Sequence, residues 1–317
     1  MRAALALARL GQVTSRAGPM IAYLPPALHC ASVRAMSLFS ALSAKSFQVE
    51  FHSHAEAILA ADFPRAVEEL EQVLLAASIP IEEIIAGGGG ETKNTQRLRK
   101  GLVAVGWETT TFTIEKVINN VRREAISHKM DHVRTIPQAD GSSGVVALEI
   151  EWNNKDPFFD RDLENFKRLH AEGAISVGII VTRGRSLHDN MLDLVYRFFD
   201  QRHIQSFDDL LNWGYDPTSR QRKAIMKRVE RAKNPLTFRQ AFAEKFVADK
   251  FGEATTHWRK LEDRISRGVG NPCPLVTIGL PDSIVSFGED PSKLKPIIEA
   301  VAGDASEEPD LLSGLDG

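Results

Sequence analysis

The sequence predicts a mixed α/β fold, in which a mixed central β-sheet is flanked by helices and interrupted by a largely helical insertion. Three short apolar runs, VVALEIEW, ISVGIIVTRG and PLVTIGLP, are typical of buried strands. Segments such as DRDLENFKRLHAEG have apolar residues that recur at helical spacing. A hairpin followed by a helix, a strand and a helix, with a later strand completing the sheet, favours one mixed sheet.

The first helix is expected in ADFPRAVEELEQVLLAAS, where Asp62 can cap the N-terminus and Pro64 fits the first turn. GGGGETKNTQRLRKGLVAVGW then joins a glycine run to a basic helix. TTTFTI predicts a strand, and TIEKVINNVRREAISHKM predicts a helix followed by a strand. Next, MDHVRTI and VVALEIEW predict the two strands of a hairpin that turns at QADGSSG.

The second half of the chain is predicted to alternate between helices and strands. DRDLENFKRLHAEG predicts a helix that stops at Gly173, ISVGIIVTRG a buried strand and HDNMLDLVYRFFDQR a helix. Residues 202–250 are interpreted as a helical insertion, in which SRQRKAIMKRVERAK can follow a DNA backbone or form a solvated face. WRKLEDRISRG predicts another helix, and PLVTIGLP predicts the last core strand.

Composition divides the chain into three regions. Residues 1–49 contain no Asp or Glu, so we expect a disordered or misannotated extension, with Met36 as an alternative start. A targeting segment is the competing interpretation. Residues 50–287 form the expected folded domain, and residues 288–317 predict a mobile acidic tail.

Bulk properties indicate an ordinary globular protein. The net charge of -3 gives no sign of nucleic-acid binding. Cys30 and Cys273 lie far apart without a metal-ligand pattern, which argues against a disulfide framework or a zinc site and fits a reducing cytoplasm. No apolar run approaches the ~18 residues of a membrane-spanning helix.

Two carboxylates interrupt the apolar run VVALEIEW. Because strand side chains alternate, Glu149 and Glu151 are expected on one face of the strand, opposite to the apolar residues at 146, 148, 150 and 152. Two like charges ~6–7 Å apart on one face repel each other, although a solvated edge tolerates such a pair. Asp131, which opens the preceding strand, can face Glu149 across the hairpin.

Three converging carboxylates need a proton or a cation among them, and their oxygen ligands suit Mg²⁺. Such an ion can generate a hydroxide nucleophile, while Glu151 or Lys155 takes or orients the proton of the attacking water. If the hairpin is tighter than we expect, Asp140 takes the place of Asp131 as a metal ligand. We favour Asp131, because Asp140-Gly141 has turn chemistry.

Asp131, followed by a strand that carries Glu149-Ile150-Glu151, resembles the active-site motif of the PD-(D/E)xK nuclease superfamily. The likeness is to its BamHI, BglII and BstYI branch, most closely to the BglII group, and it covers residues 60–282 in patches. This resemblance implies a restriction-endonuclease-like core. It also implies that Asp131 and Glu149 bind the metal, with Glu151 as a metal-linked ligand or general base.

The same resemblance implies a type II restriction endonuclease that hydrolyses DNA as a homodimer, at a short palindrome with a GATC centre. A cognate DNA methyltransferase would protect the host's own sites. Two alternatives stay open. One is a DNA repair or junction-resolving nuclease with the same metal chemistry, and the other is a non-catalytic DNA-binding module on the same fold.

Three stretches are candidates for DNA contact. The first is Lys93, Gln96 and Arg97 after the glycine run, which can equally be a flexible linker before a solvated helix. Asn153, Asn154 and Lys155 are expected beside the scissile phosphate. The resemblance implies that the third stretch, Thr255, Thr256 and His257, lies near the DNA interface.

Overall fold

A computed structural model describes residues 38–86, 91–138 and 140–288, and a six-stranded sheet forms their centre. The strands in chain order are β1 Gln48–His52, β2 Ile79–Pro80, β3 Glu108–Ile118, β4 Val121–Pro137, β5 Ser143–Glu151, β6 Val177–Arg183, β7 Leu275–Leu280 and β8 Val285–Ser286. The large sheet has the order β1-β7-β6-β5-β4-β3, and β2 pairs with β8 separately. β5, β6 and β7 are parallel, whereas β1, β4 and β3 run antiparallel to their neighbours. The predicted mixed sheet is confirmed.

Helices cover both faces of this sheet. In chain order they are α1 Ser40–Ala44, α2 Ala55–Asp62, α3 Pro64–Leu75, α4 Ile81–Ile85, α5 Lys93–Ala104, α6 Phe158–Ala171, α7 Arg185–Asp189, α8 Met191–Gln201, α9 Phe207–Leu211, α10 Ser219–Val229, α11 Phe238–Lys250 and α12 Trp258–Ser266. A short 3-10 helix, Asp282–Ile284, precedes β8. The predicted α/β layering is therefore present on both sides.

Two separate apolar clusters fill the two faces. Val146 and Leu148 of β5 belong to the larger cluster, together with residues of α2, α3, α5, α8 and α11. Ala147 lies in the smaller cluster, with residues of α6 and α12. This alternation along β5 confirms the predicted facing, because successive strand side chains point to opposite sides. Glu149 and Glu151 therefore lie on the α6 side of the sheet.

The helix predicted within TIEKVINNVRREAISHKM is absent, and this part of the sequence forms a β-hairpin. β3 ends at Ile118 and β4 begins at Val121, with Asn119 and Asn120 between them at φ 51° and 62°. Two successive positive φ angles define a type I′ turn, which asparagine tolerates well. The alternation of Thr111, Thr113 and Glu115 along β3 suits an exposed strand, and pairing with β4 overrides the weak helical pattern.

The folded region starts earlier than the predicted boundary at residue 50. α1 begins at Ser40, and β1 begins at Gln48 and pairs with β7 in the large sheet. Apolar Phe39, Leu42 and Phe47 are buried, which explains why this stretch is ordered despite its lack of acidic residues. The rest of the predicted extension and the predicted tail beyond residue 288 lie outside the described residues.

The predicted insertion is helical, as α9, α10 and α11. It packs through aromatic rings against α8, with Phe199 and Phe242 at 5.0 Å between ring centroids. Part of the positive charge of α10 is already paired, since Arg222 bonds to Asp216 and Arg228 bonds to Glu244. Across the described part of the chain, no helix combines the length and the apolar character that a membrane crossing requires.

Gly178 in β6 lets α6 approach the sheet. A Cβ atom at this position would lie 2.5 Å from the ring of Phe166, which is fully buried in α6. We expect Gly178→Ala to lower the free energy of unfolding by about 1–3 kcal/mol, because α6 must shift to accept the methyl group. Urea unfolding measures this loss, and Gly288→Ala is the control, since a Cβ there meets nothing within 4 Å. Equal stability of both variants would contradict this packing.

Candidate active site

The predicted hairpin brings Asp131 and Glu149 together. The β4–β5 register pairs His132 with Leu148, so the next position along it is Asp131 with Glu149. The Asp131 backbone N–H donates to Glu149 Oε1 at 3.2 Å. Asp131 also lies in a β-bulge, because Glu108 and Thr110 of β3 pair with Val133 and Met130 of β4. The bulge interrupts regular pairing beside the carboxylates, and Asp131 itself is exposed.

A fourth carboxylate, Asp162, completes the cluster from the first turns of α6. Its side chain is 1% exposed, and Arg161 Nη2 lies 2.7 Å from its Oδ1. The same guanidinium lies 3.4 Å from Glu151 Oε1. The sequence analysis missed Asp162, although α6 follows β5 after a short connection and its first residues return to the sheet there. We call Asp131, Glu149, Glu151 and Asp162 the acidic cluster.

Burial makes ionisation of the acidic cluster costly. It raises the pKa of Glu149 to about 9, with the nearby charges of Asp162 and Asp131 adding to the effect. Burial and then Asp162 raise the pKa of Glu151 to about 8. The pKa of Asp162 is also raised, mainly by burial. Burial therefore favours the protonated form of Glu151 and Asp162, and Asp162 Oδ2 is buried without a hydrogen-bond partner.

The acidic cluster has the donor set of a divalent-cation site. All its donors are oxygens, three of its four carboxyl groups are buried, and Arg161 is half-exposed at 52%. The ligand atoms of Asp131, Glu149 and Glu151 are not all within 4.8 Å of one another, so ion binding would require these side chains to move closer together. A hard cation such as Mg²⁺ fits these oxygen donors, would replace the protons that burial favours on them, and would draw them together.

The segment after β5 supports the acidic cluster. Asn154 donates its side-chain N–H to Glu151 Oε2 at 2.8 Å. Asn153 is turned inward, because its side-chain N–H donates to the Lys250 carbonyl at 2.9 Å. Lys155 is exposed and its backbone forms an isolated bridge with Thr255. Asn154 and Lys155 are therefore the members of this predicted stretch that stand at the surface beside the carboxylates.

Asp140 lies at the opposite end of the hairpin from Glu149. Its Oδ1 accepts hydrogen bonds from the backbone N–H and the hydroxyl of Ser142, at 2.9 and 2.6 Å. These bonds lower the pKa of its carboxyl. Asp140 therefore stabilises the turn between β4 and β5, and Asp131 is the aspartate next to Glu149.

The predicted DNA contacts at Thr255, Thr256 and His257 need correction. Thr256 and His257 are fully buried, so they do not present their side chains to a ligand at the surface. The Thr256 hydroxyl accepts from the Asn154 backbone N–H at 3.0 Å, and the Thr255 hydroxyl accepts from Arg183 at 2.6 Å. A sequence of hydroxyl groups beside a histidine does not show whether its partners lie inside or outside the protein.

Buried Arg183 joins the same segment to the end of β5. Its Nε donates to the Trp152 carbonyl at 3.0 Å, and its Nη2 donates to the Thr256 carbonyl at 2.8 Å. The Thr256 N–H in turn donates to the Asn154 carbonyl at 2.8 Å. Residues 252–257 are therefore a support for the strand end that carries Glu151.

The predicted contacts on α5 lie across the sheet from the acidic cluster. Leu98 and Leu102 place α5 in the larger apolar cluster, with Val146 and Leu148. Arg97 forms a bidentate ion pair with Glu83, at 2.6 and 2.8 Å, and Gln96 donates to the Glu91 carbonyl at 3.1 Å. Lys93 is the first residue of this helix.

Comparison with known proteins gives one family match. The family model described as restriction endonuclease BglII/BglIII matches residues 47–280, which is most of the chain. No curated protein matches the chain. The matched region runs from the residue before β1 to the last residue of β7, and therefore contains the whole large sheet and the acidic cluster.

Glu149→Gln tests the burial of the acidic cluster. The folded-state pKa of about 9 lies above the ordinary value of 4.5, so the folded chain keeps a proton that the unfolded chain releases. Without divalent ions, the free energy of unfolding should therefore fall as pH rises from about 4.5 to about 9, by up to ~1.4 kcal/mol per pH unit. Glutamine has no proton to release, so Glu149→Gln should flatten this fall.

Urea unfolding at several pH values, in the presence of a chelator, measures both profiles. Glu56→Gln is the control, because it neutralises an exposed carboxylate of α2. It should keep the profile of the unaltered chain. Parallel profiles for the unaltered chain and Glu149→Gln would show that Glu149 is ionised and solvated in the folded state.

Proposed function

Because the chain belongs to the restriction endonuclease BglII/BglIII family, we propose that it is a type II enzyme that hydrolyses DNA phosphodiester bonds with Mg²⁺. We further propose a short palindromic site, with a GATC centre, as the substrate. The observation that carries the proposal is the acidic cluster, in which buried Glu149 and Glu151 stand next to Asp131 at the end of β5. Such a concentration of buried carboxyl groups serves a cation better than it serves stability.

Asp131 and Glu149 are the proposed metal ligands, with Glu151 as a third ligand or as the general base. When bound, Mg²⁺ would supply a polarised water and neutralise the charge that develops on the phosphate. Glu151 suits a base because its pKa of about 8, raised by burial and by Asp162, lies near the working range of a general base. Asn154 orients the Glu151 carboxylate through its 2.8 Å bond.

Lys155 is the proposed group that orients the attacking water or binds the scissile phosphate. Lys155 is exposed and follows Asn154, so its ammonium group is accessible to a ligand at the surface. Lys93, Gln96, Arg97 and Asn153 are proposed to contribute to DNA binding more distantly, Arg97 by exchanging its Glu83 ion pair for a phosphate.

A homodimer fits a palindromic substrate, since two-fold symmetry places one active site on each strand. We therefore propose that two copies of this chain act together. A DNA methyltransferase that modifies the same site would be the functional partner, because a restriction enzyme without one would cut its host's DNA.

Glu149→Ala should abolish cleavage and keep DNA binding. The change removes a metal ligand, whereas the positive groups that bind phosphates stay in place. Loss of a group that only supports a metal ligand lowers activity by up to about 100-fold. Because Glu149 is a proposed direct ligand, we expect its loss to lower the cleavage rate by more than ~100-fold. Gel analysis of plasmid digestion with Mg²⁺ measures the rate, and a mobility shift with Ca²⁺ measures binding.

Glu172→Ala is the matched control, because Glu172 is an exposed carboxylate at the other end of α6. It should cleave at the normal rate. A normal rate for Glu149→Ala would contradict the assignment of the site.

The DNA that the unaltered chain cleaves separates the three functions. Discrete plasmid fragments support restriction, and cleavage confined to branched DNA would indicate junction resolution instead. No cleavage of any DNA would leave a non-catalytic binding module.

Mg²⁺ affinity should rise with pH. Mg²⁺ competes with the protons that burial holds on Glu149 and Glu151, whose pKa values are about 9 and 8. Between about pH 6 and pH 8 the affinity should increase roughly tenfold per pH unit for each proton displaced. Titration calorimetry in two buffers of different ionisation enthalpy measures the protons released, and a pH-independent affinity would place the ion elsewhere.

A further inference from the structure

A second group of metal-ligand residues lies on the far side of Arg183 from β5. It consists of His188 in α7, Glu253 in the loop after α11, and His257 at the start of α12. One ligand atom from each residue lies within 4.8 Å of the other two, and this is the one such group of three among the described residues. The two imidazole rings are stacked, with 3.8 Å between centroids and 5° between planes.

The carboxylate of Glu253 faces both rings. Its two oxygens lie 3.7 Å from His188 Nε2 and 3.7 Å from His257 Nε2, which is too long for good hydrogen bonds. The space between these three groups is therefore wider than direct contact would leave. An ion could contact all three once the stacked rings tilt so that both Nε2 lone pairs converge on it.

His257 carries the inference, because its side chain is completely buried and neither ring nitrogen has a hydrogen-bond partner. A neutral imidazole has one donor and one acceptor nitrogen, and buried polar groups are almost always satisfied. Two unpartnered nitrogens on one buried ring therefore require an explanation. An ion bound to His257 Nε2 would satisfy the acceptor nitrogen. It would lie on the side of the ring that faces Glu253.

We propose that His188, Glu253 and His257 bind a d-block divalent cation such as Zn²⁺, with water in the remaining position. Two imidazoles and one carboxylate are a common ligand set for Zn²⁺, whereas Mg²⁺ prefers oxygen ligands alone. The sequence argument against a zinc site rests on the spacing of Cys30 and Cys273. It does not apply to a site whose ligands are histidine and glutamate.

The surroundings are compatible with neutral ligands. Burial lowers the pKa of His257 to about 3 and also lowers that of His188, so both rings are uncharged at neutral pH. Positive groups stand close, with Lys260 Nζ 3.9 Å from Glu253 and Arg183 Nη1 3.4 Å from His188 Nδ1. We therefore expect modest affinity, in the range of a site that exchanges its ion with solution.

Ion binding would also change the contact between Arg183 and His188. Arginine can only donate, so His188 Nδ1 accepts from Arg183 and its Nε2 carries the proton. The ion needs a free Nε2, which moves the proton to Nδ1 and removes the acceptor that Arg183 Nη1 faces. Arg183 retains its bonds to the Trp152 and Thr256 carbonyls, so the rest of its contacts can persist.

The ion would stabilise the support that holds the end of β5. Glu253 and His257 flank the residues whose backbone bonds join this loop to Asn154 and Asp156. A cation that links the loop to α7 would fix both ends of that support. It would act on structure there and would take no part in the chemistry of the acidic cluster.

Cobalt binding tests the site. The full chain is freed of metal with a chelator and titrated with Co²⁺, whose visible absorption intensifies when histidine ligands hold it in a four-coordinate site. All proteins in this titration carry Glu149→Ala. This change removes a proposed metal ligand of the acidic cluster, so that Co²⁺ binding there does not interfere. We expect one such ion per chain, with Zn²⁺ displacing it and erasing the band.

Glu253→Ala is the decisive variant, because this residue is exposed and we expect its loss to leave the fold intact. We expect it and His188→Gln each to weaken Co²⁺ binding at least tenfold. Asp263→Ala, which removes an exposed carboxylate of α12, should bind normally. Equal binding by Glu253→Ala and its parent, or no band in the parent, would overturn the site. Neither result bears on DNA cleavage, which depends on the acidic cluster.

Discussion

The burial of the acidic cluster between β5 and α6 is the constraint on which the rest of the site depends. Glu149 and Glu151 take two positions on a strand face that otherwise packs against α6, and Asp162 faces them from the helix. Apolar residues would stabilise these positions better, and Arg161 is the one counter-charge among the described residues that contacts the buried oxygens. The fold accepts this cost because protons occupy the carboxyl groups when no cation does.

The surrounding elements keep these groups in place by backbone hydrogen bonds more than by charge. The bulge at Asp131 turns a backbone N–H toward Glu149. On the other side, Thr182 donates its hydroxyl to the Glu151 carbonyl at 2.7 Å, and Arg183 binds the Trp152 carbonyl. The bonds to the Glu151 and Trp152 carbonyls have acceptors that do not titrate, so the end of β5 can stay fixed while the carboxyl groups exchange protons for metal.

Periodicity revealed the strand and the facing of its residues, because alternation is a local property of the backbone. The order of apolar runs predicted β5, β6, β7, α6, α8 and α12, and the turn QADGSSG between two strand patterns predicted the hairpin. Asp162 was missed, since its contact with Glu151 arises only when α6 folds back on the sheet. The spacing of residues along the sequence does not predict that Asp162 and Glu151 lie close together.

Other differences have similar causes. The β3–β4 hairpin was hidden by residues that suit either a helix or an exposed strand, and its Asn119-Asn120 turn was the available signal. Thr256 and His257 were expected at the DNA interface, yet they are buried because the loop before α12 closes onto Asn154. Burial of polar residues depends on long-range contacts, which a pattern of residue types does not encode.

Diffraction at the manganese absorption edge, from crystals grown with Mn²⁺ in place of Mg²⁺, tests the central claim most directly. Mn²⁺ accepts the same oxygen ligands and is located by its own anomalous signal. We predict a peak coordinated by Asp131 and Glu149, with the carboxylates closer together than in the structure described above. A fully loaded crystal with no peak at Glu149 would contradict the account.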